Sequence, residues 1–347
     1  MTFLGGSHPW FSFIVHPRNL PELIAMPGAS LVYDHSDDDA DFIAKATHNP
    51  PVVLADVAFS GSVVRGELIA VGMLPEAMLT TDAHRAVAAA VELAIERGSR
   101  VIGLGALTAP ATAGGRALLK RLPPGVTLTN GNALTAAIVR RNVQEAIVRS
   151  GLDRPPRVAL LGATGSVGIA LSRLLADEEI ELILVGASAG RVERTLGDLL
   201  AAGHTGAWTL DALAGADIGV ILTNAESARV RPGLVAPKTI LIDVAQPPNL
   251  AEGDLPAFAG EGVSVVPGGV VRIPGYSCRQ NFGLSSPRDT FACLAETFLL
   301  AREGMREHST GTPALDYVER IERAAMRQGV SVLPLFEEQA TPAGAAP

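Results

Sequence analysis

The segment Arg157–Ala170, RVALLGATGSVGIA, constrains this chain more than any other stretch. An apolar run, Val158 to Leu161, stops at Gly162. Gly165 and Gly168 follow at three-residue spacing, and an apolar helical pattern then begins. Those are the parts of a strand, a tight glycine turn and a helix start. Glycine permits positive φ and lets a backbone approach a pyrophosphate closely. The helix start aims free N–H groups and a positive dipole end at the same place. The spacing G-x-x-G-x-x-G is a variant of the G-x-G-x-x-G dinucleotide fingerprint, in the strand-to-helix context that gives such a motif meaning. The candidate phosphate contacts are Gly162, Ala163, Thr164, Gly165, Ser166, Val167 and Gly168.

The next strand-like run, Glu181 to Val185, leads into GASAGR (186–191). An NAD enzyme usually carries Asp or Glu about 20 residues after the glycine loop, on the ribose 2′-hydroxyl. This chain has Ser188 there, with Arg191 and Arg194 beyond. A hydroxyl and a guanidinium suit a 2′-phosphate, which points to NADPH with Ser188 and Arg191 as its contacts.

Strand-like and helix-like runs alternate onward. Helix 167–176, strand 182–185, helix 191–202, strand 218–222 and strand 239–242 give an α/β fold, a Rossmann-type doubly wound parallel sheet. Ligands of such sheets sit beyond the carboxyl ends of the strands. Thr223, Asn224, Val244 and Gly268 fall there and become candidate cofactor contacts. The N-terminal part alternates too: strands at 11–15, 51–59, 66–72 and 101–104, and a helix at 82–97 with Asp82 as its cap. This predicts an N-terminal α/β substrate domain over 1–133. A dinucleotide domain follows over 134–286, opening on a linking helix at 134–150. C-terminal helices occupy 287–338, and 339–347 reads as a disordered tail.

At 347 residues and 48% hydrophobic, the chain can build two cores. No run has the 18 or so apolar residues a membrane helix needs. The N-terminus lacks a basic region and cleavage site, so no signal peptide is expected. Two cysteines, Cys278 and Cys293, give no disulfide framework, and a cytoplasmic setting is expected. The net charge of −8 argues against nucleic acid. Residues 111–160 run the other way, with eight Lys/Arg against two acids. Arg116 and Lys120 in that stretch form a candidate docking patch for an acidic partner. The acidic run Asp34–Asp41 lacks the glycine and distal Glu of a calcium loop, and no metal site is expected.

Cys293 lies in SSPRDTFACLAETFLLAREG (285–304). Ser286 can cap, Pro287 suits the first helical position, and Asp289 completes a capping box. That places Cys293 near the second turn, beyond most of the helix dipole. Glu296, three residues on, shares its face. It either accepts the thiol proton or, if charged, raises the thiol pKa. Residues alone leave Cys293 open between a buried structural thiol and a nucleophile. His16 follows a strand and is a candidate proton source or a satisfied core residue. Asn130, Asn132 and Thr135 open the linking helix, equally suited to capping and to substrate contact. Gly105, at a strand end, joins Asn132 and Thr135 as a substrate candidate.

Several stretches together resemble the long-chain acyl-[acyl carrier protein] reductases of cyanobacteria: RGELIAVGMLPEAML (65–79), GLGALT (103–108), TNGNALTA (129–136), VALLGATGSVG (158–168), LIDVAQPPNL (241–250), PGGVV (267–271) and FACLAETFLLAREG (291–304). The resemblance implies NADPH-dependent reduction of a fatty acyl thioester, on acyl carrier protein or coenzyme A, to an aldehyde. It also implies an acyl-enzyme on Cys293. An aldehyde-consuming partner enzyme and peripheral contact with a lipid surface would follow. The stretch 272–290 and the first 60 residues match poorly. Two other readings stay open. One is a shikimate-dehydrogenase-like oxidoreductase of a small hydroxy or keto compound, for which Lys45 is the sole lysine before Lys120. The other is a non-catalytic NADP(H)-binding protein.

Overall fold

Alternating β-branched runs and amphipathic helices here build two six-stranded sheets. The computed structural model describes residues 10–336, so the expected tail at 339–347 and the extreme N-terminus lie outside the described residues. The first sheet holds β1 (Trp10–Val15), β2 (Val52–Phe59), β3 (Arg65–Ala70), β4 (Val101–Leu104) and β5 (Thr127–Thr129). β1 runs parallel to both β3 and β4, β5 adds parallel to β4, and β2 pairs antiparallel with β3. Around them lie α1 (Leu20–Ile24), α2 (Ala29–Tyr33), α3 (Asp39–Thr47) and α4 (Thr81–Glu96). The acidic run serves α3: Asp38 accepts the Asp41 N–H at 2.8 Å, and Asp41 pairs with Lys45 at 2.6 Å. α4 is capped by Thr80, whose hydroxyl accepts the Ala83 N–H, and not by Asp82, which pairs with Arg85.

The linking helix α5 (Asn132–Ser150) carries the chain to the second sheet. In chain order come β6 (Arg157–Leu161), α6 (Ser166–Leu175), β7 (Glu181–Val185), α7 (Ala189–Ala201), β8 (Thr205–Ala207), β9 (Ile218–Ile221), β10 (Ile240–Asp243), α8 (Leu255–Gly260) and β11 (Ser264–Pro267). Across the sheet the order is β8-β7-β6-β9-β10-β11, parallel throughout. Counted from β6 this is 3-2-1-4-5-6, the Rossmann arrangement, with its topological switch between β6 and β9.

The remainder comprises β12 (Val270–Arg272), β13 (Tyr276–Cys278), β14 (Asp289–Phe291), α9 (Ala292–Glu303), α10 (Leu315–Arg327) and β15 (Ser331–Val332). β13 pairs antiparallel with β2. A piece of the span read as dinucleotide domain thus returns to the first sheet. β12 lies between β14 and β15 in a small antiparallel sheet.

The capping box expected at Ser286 does not form. Asp289 is buried against Arg272 across the β12–β14 pair at 2.8 Å, and that cross-strand contact holds the backbone extended through Phe291. α9 therefore starts at Ala292, and Cys293 is its second residue rather than a second-turn residue.

α9 lies against the first sheet. A Cβ on Gly103 of β4 would sit 2.0 Å from the Thr297 hydroxyl, so the missing side chain is what lets the helix approach. Phe298 stacks on Phe59 of β2 at a centroid distance of 4.0 Å. α5 buries Ala133, Ala136, Ala137 and Ala146, small residues that bring helices close on its several packed sides.

Candidate functional site

The carboxyl ends of β1 and β4 and those of β6, β9 and β10 open on one cavity of about 690 Å³. Its wall brings together many of the residues singled out in the sequence. Thr164, Gly165, Ser166, Val167, Gly168 and Arg191 line it from the glycine loop and α7. Asn224, Val244 and Gly268 line it from the ends of the later strands, and His16 and Gly105 from the first sheet. Asn132, Thr135 and Cys293 lie between the two sheets. Gly162, Ala163, Ser188, Thr223 and Glu296 are not part of that wall. Ser188 is an exposed backbone cap of α7. Thr223 shapes its own loop, its hydroxyl accepting the Ala225 N–H.

The glycine loop has the shape a pyrophosphate needs. Gly162 sits at φ +95°, where an L side chain is strained. A Cβ on Gly168 would lie 2.3 Å from the Gly162 carbonyl, so strand end and helix start touch backbone to backbone. Ser166 opens α6, accepting the Asn132 side-chain N–H at 2.9 Å and donating to the Gly311 carbonyl. These residues fit a dinucleotide.

Two buried polar residues fix the loop beyond β10: Asp243, in a strand-end segment the sequence placed beyond the sheet's carboxyl edge, and Asn249, which the sequence did not reveal. Asp243, at the end of β10, accepts the Ala245 N–H at 3.1 Å and the Leu250 N–H at 3.0 Å. Burial pushes its carboxyl up to about 6, against the pull of those N–H groups. Asn249 donates to the carbonyls of Thr223 and Ala228 at 2.8 and 3.0 Å and ties neighbouring loops together. Buried polar groups with every partner supplied fix a backbone path. The turn-rich PPNL stretch was the one trace of Asn249 in the sequence.

Cys293 is half-buried at the cavity wall, over the start of α5. A Cβ on Gly131 would lie 2.2 Å from the Cys293 Cβ. Burial pushes the thiol up to about 12, and Glu296 adds to the rise. The N–H groups of Leu294 and of Cys293 itself pull the other way. That is the helix-start effect which the second-turn placement had discounted.

Glu296 does not face the cavity as a base. It is wholly buried, accepting the Thr129 hydroxyl at 2.5 Å and the Leu134 N–H at 2.8 Å. Its oxygens are engaged away from the sulfur, which sets aside the first of the two alternatives and leaves the second, a carboxylate that raises the thiol pKa. Burial raises its pKa as well.

His16 lines the cavity with both ring nitrogens engaged. Nδ1 bonds the Pro17 carbonyl at 2.9 Å, and Nε2 accepts the Leu107 N–H at 3.4 Å. This assigns a neutral Nδ1–H tautomer, and burial lowers its pKa further. His16 holds the β4 loop and carries no spare proton. Asn132 donates its backbone N–H to the Asn130 side chain, and the Thr135 hydroxyl donates to the Gly131 carbonyl. Both also remain in the wall. Sequence reasoning missed the apolar side of the cavity: Phe13, Val15, Met26, Leu54, Phe282 and Phe291. These come from separate strands and loops, and no local pattern joins them.

Fold and cleft together define a Rossmann-type α/β protein whose glycine loop and strand ends have the shape of a dinucleotide site. No family model matches the chain. A curated relative from Serratia sp. (strain ATCC 39006), named Aminotransferase PigE, is 27% identical over 350 residues. That match takes in 94% of this chain and 40% of the relative, so the chain spans two-fifths of that protein's length. Among solved structures, L-tryptophan dehydrogenase from Nostoc punctiforme has a TM-score of 0.37 at 14% identity, covering 75% of this chain and 70% of that one. A thermostable alcohol dehydrogenase from Pyrobaculum aerophilum has 0.30 at 20% identity, covering 51% and 45%. The quinone oxidoreductase from Thermus thermophilus, also solved with NADPH, has 0.30 at 17% identity, covering 61% and 67%. Likenesses at these TM-scores add nothing to the strand order already given.

The family resemblance drawn from the sequence is corrected by these findings. The curated relative matched over 94% of this chain is named an aminotransferase, not an acyl-[acyl carrier protein] reductase. Much of what supported the resemblance (the glycine loop, the strand ends, the start of α5) builds the dinucleotide cleft, which many chemistries share. No helix among the described residues is long and apolar enough to cross a membrane.

Proposed function

We propose that this chain is an NADPH-dependent reductase that converts an acyl thioester to an aldehyde through an acyl-enzyme on Cys293. The observation that carries this reading is the place of Cys293. It stands in the first turn of α9, in a cavity walled on one side by the glycine loop and on another by apolar side chains. A thiol among aromatic and aliphatic groups beside a dinucleotide cradle suits an apolar acyl chain.

Bound NADPH supplies a hydride. The chain's own residues do the rest. The first-turn N–H groups of α6 would hold the pyrophosphate, and Arg191 would meet the 2′-phosphate. The Cys293 sulfur bonds to the acyl carbon as the carrier's thiol leaves with the proton, which splits one hard step into two easier ones. The Ala292 N–H is already committed to the Gly269 carbonyl. The Cys293 and Leu294 N–H groups remain to stabilise negative charge on the acyl oxygen. Once the acyl carbon is reduced, its C–S bond breaks with the electron pair going to sulfur, releasing aldehyde and a thiolate that takes a proton from water.

The direct test is incubation with an acyl-coenzyme A without NADPH, then peptide mapping by mass spectrometry. An acyl group on the Cys293 peptide is expected, and its absence counts against the covalent route. A second reading is favoured by one observation, the thiol pushed up to about 12. At that value roughly one thiol in 10⁵ is ionised at pH 7. On this reading the same cleft reduces a small carbonyl compound directly, with Cys293 as a wall residue.

Two further expectations belong here. Arg191→Ala raises KM for NADPH about tenfold or more and leaves KM for NADH within about twofold, as expected for loss of a guanidinium–phosphate contact. Steady-state kinetics with both cofactors check it. Arg116 and Lys120 are exposed and have no carboxylate partner among the described residues. They suit an acidic carrier protein. Reversing both charges should raise KM for carrier-bound acyl substrate several-fold and leave a truncated neutral thioester unaffected. Equal KM values for the carrier-bound substrate would remove the patch from the binding surface. An aldehyde product is reactive toward amines. A partner that consumes it fits the relative's name, since amino transfer takes a carbonyl compound as acceptor.

A further inference from the structure

α5 begins without a cap of its own. Its N-cap is Gly131 at φ +69°, with no side chain to accept an amide, where Ser, Thr, Asn or Asp would ordinarily stand. The reason is steric: a Cβ there would fall 2.2 Å from the Cys293 Cβ and 2.3 Å from its Cα. Cys293 fills the space that a capping side chain would use.

The missing acceptor comes from the same helix as the thiol. Glu296, one turn along α9, accepts the N–H of Leu134, the third residue of α5, at 2.8 Å. Its other oxygen accepts the Thr129 hydroxyl at 2.5 Å, and Thr129 Oγ1 in turn accepts the Gly131 N–H at 2.9 Å. Glu296 is wholly buried, and among the described residues no cation pairs with it. A carboxylate in such a place is retained only where donors fill it. Here the donors belong to the elements that bracket the thiol.

We propose that Glu296 is the positioning residue of Cys293. It clasps the starts of α5 and α9 together and so keeps the sulfur over Gly131 at the cavity wall. The proposal rests on the reading of Cys293 as the reacting group. It assigns Glu296 no proton transfer. The other titratable groups around the clasp are Tyr317 on α10 and His308 after α9, whose Nδ1 accepts the Leu128 N–H.

The test uses the full chain and a thiol reagent, so it needs no substrate. Glu296→Gln keeps the shape and one acceptor oxygen but removes the negative charge near the sulfur. Iodoacetamide labelling of Cys293 is followed against pH by peptide mapping, with Cys278 as the internal reference and a melting curve as the fold check. For Glu296→Gln, a cooperative melt and a Cys293 labelling curve moved about one pH unit lower are expected, because a like charge no longer opposes ionisation. The Cys278 curve should stay in place. Glu296→Ala, if it folds, should lower kcat at least a hundredfold while KM changes less than threefold. A folded Glu296→Ala protein whose Cys293 labels at the parent's rate across the pH range overturns the proposal and leaves Glu296 as a helix cap alone. If the parent turns over no thioester, the functional reading fails, yet the labelling curves still decide the clasp.

Discussion

Cys293→Ala should abolish aldehyde formation from an acyl thioester, lowering kcat by about 10⁴-fold or more, while NADPH binding stays within about twofold. The asymmetry follows from where the residue sits. The sulfur is in the cavity wall but outside the glycine loop, so removing it takes away the atom proposed to carry the acyl group and leaves the glycine loop intact. Losing a nucleophile removes a whole route and not a fraction of it. The alanine variant keeps the Cβ that packs over Gly131, so the start of α9 should stay in place. The pH dependence has a definite sign. With the thiol pushed up to about 12, the ionised fraction grows about tenfold per pH unit through the neutral and alkaline range. Acylation of the parent by acyl-coenzyme A, timed by quenching and mass spectrometry, should therefore climb from pH 7 to pH 9 without levelling. A plateau near neutral pH would mean that a group in the cleft ionises the thiol. Full aldehyde output from Cys293→Ala would move the protein to the direct, non-covalent reading.

What could be read in the sequence was what is local. Val158–Leu161, Gly162 and the start of α6 are consecutive, so strand, turn and helix are written in one stretch, and alternation along 157–267 gave the parallel sheet. Boundaries failed where a distant contact overrode a local signal. Ser286-Pro287-x-Asp289 has the form of a capping box, yet Asp289 is taken by Arg272, seventeen residues back, and the segment stays extended. That single contact moved Cys293 from a second turn to a first. Glu296 lies on the expected helix, but its partners Thr129 and Leu134 are 167 and 162 residues away. No periodicity could show that its oxygens turn from the thiol toward α5. The return of β13 to the first sheet and the apolar wall of the cavity are non-local in the same way. The family expectation failed for a different reason: several of its motifs describe the cradle of a cofactor, and a cradle does not name the substrate.

Gly168→Ala should cost at least a hundredfold in NADPH affinity and about 1–3 kcal/mol of stability, the usual penalty of overpacking. The new Cβ would lie 2.3 Å from the Gly162 carbonyl oxygen and 2.8 Å from both the Ala163 carbonyl carbon and its Cα. All are backbone atoms of the turn itself, so no rotamer change relieves the contact. The helix start has to move off the strand end, and the amides aimed at the pyrophosphate move with it. Gly165→Ala is the control. Its Cβ would meet only the Gly162 carbonyl, at 3.2 Å, and its φ of −79° suits any residue. A loss of about tenfold or less is expected there. Melting curves with and without NADPH separate packing from binding. At a concentration about 100 times the parent Kd, cofactor adds about 2.7 kcal/mol to the parent. For a variant bound a hundredfold more weakly, the same relation gives about 0.4 kcal/mol. If Gly168→Ala keeps the full cofactor-induced shift, the close approach of α6 to the end of β6 is not what shapes the phosphate site, and the binding has to be sought elsewhere in the cleft.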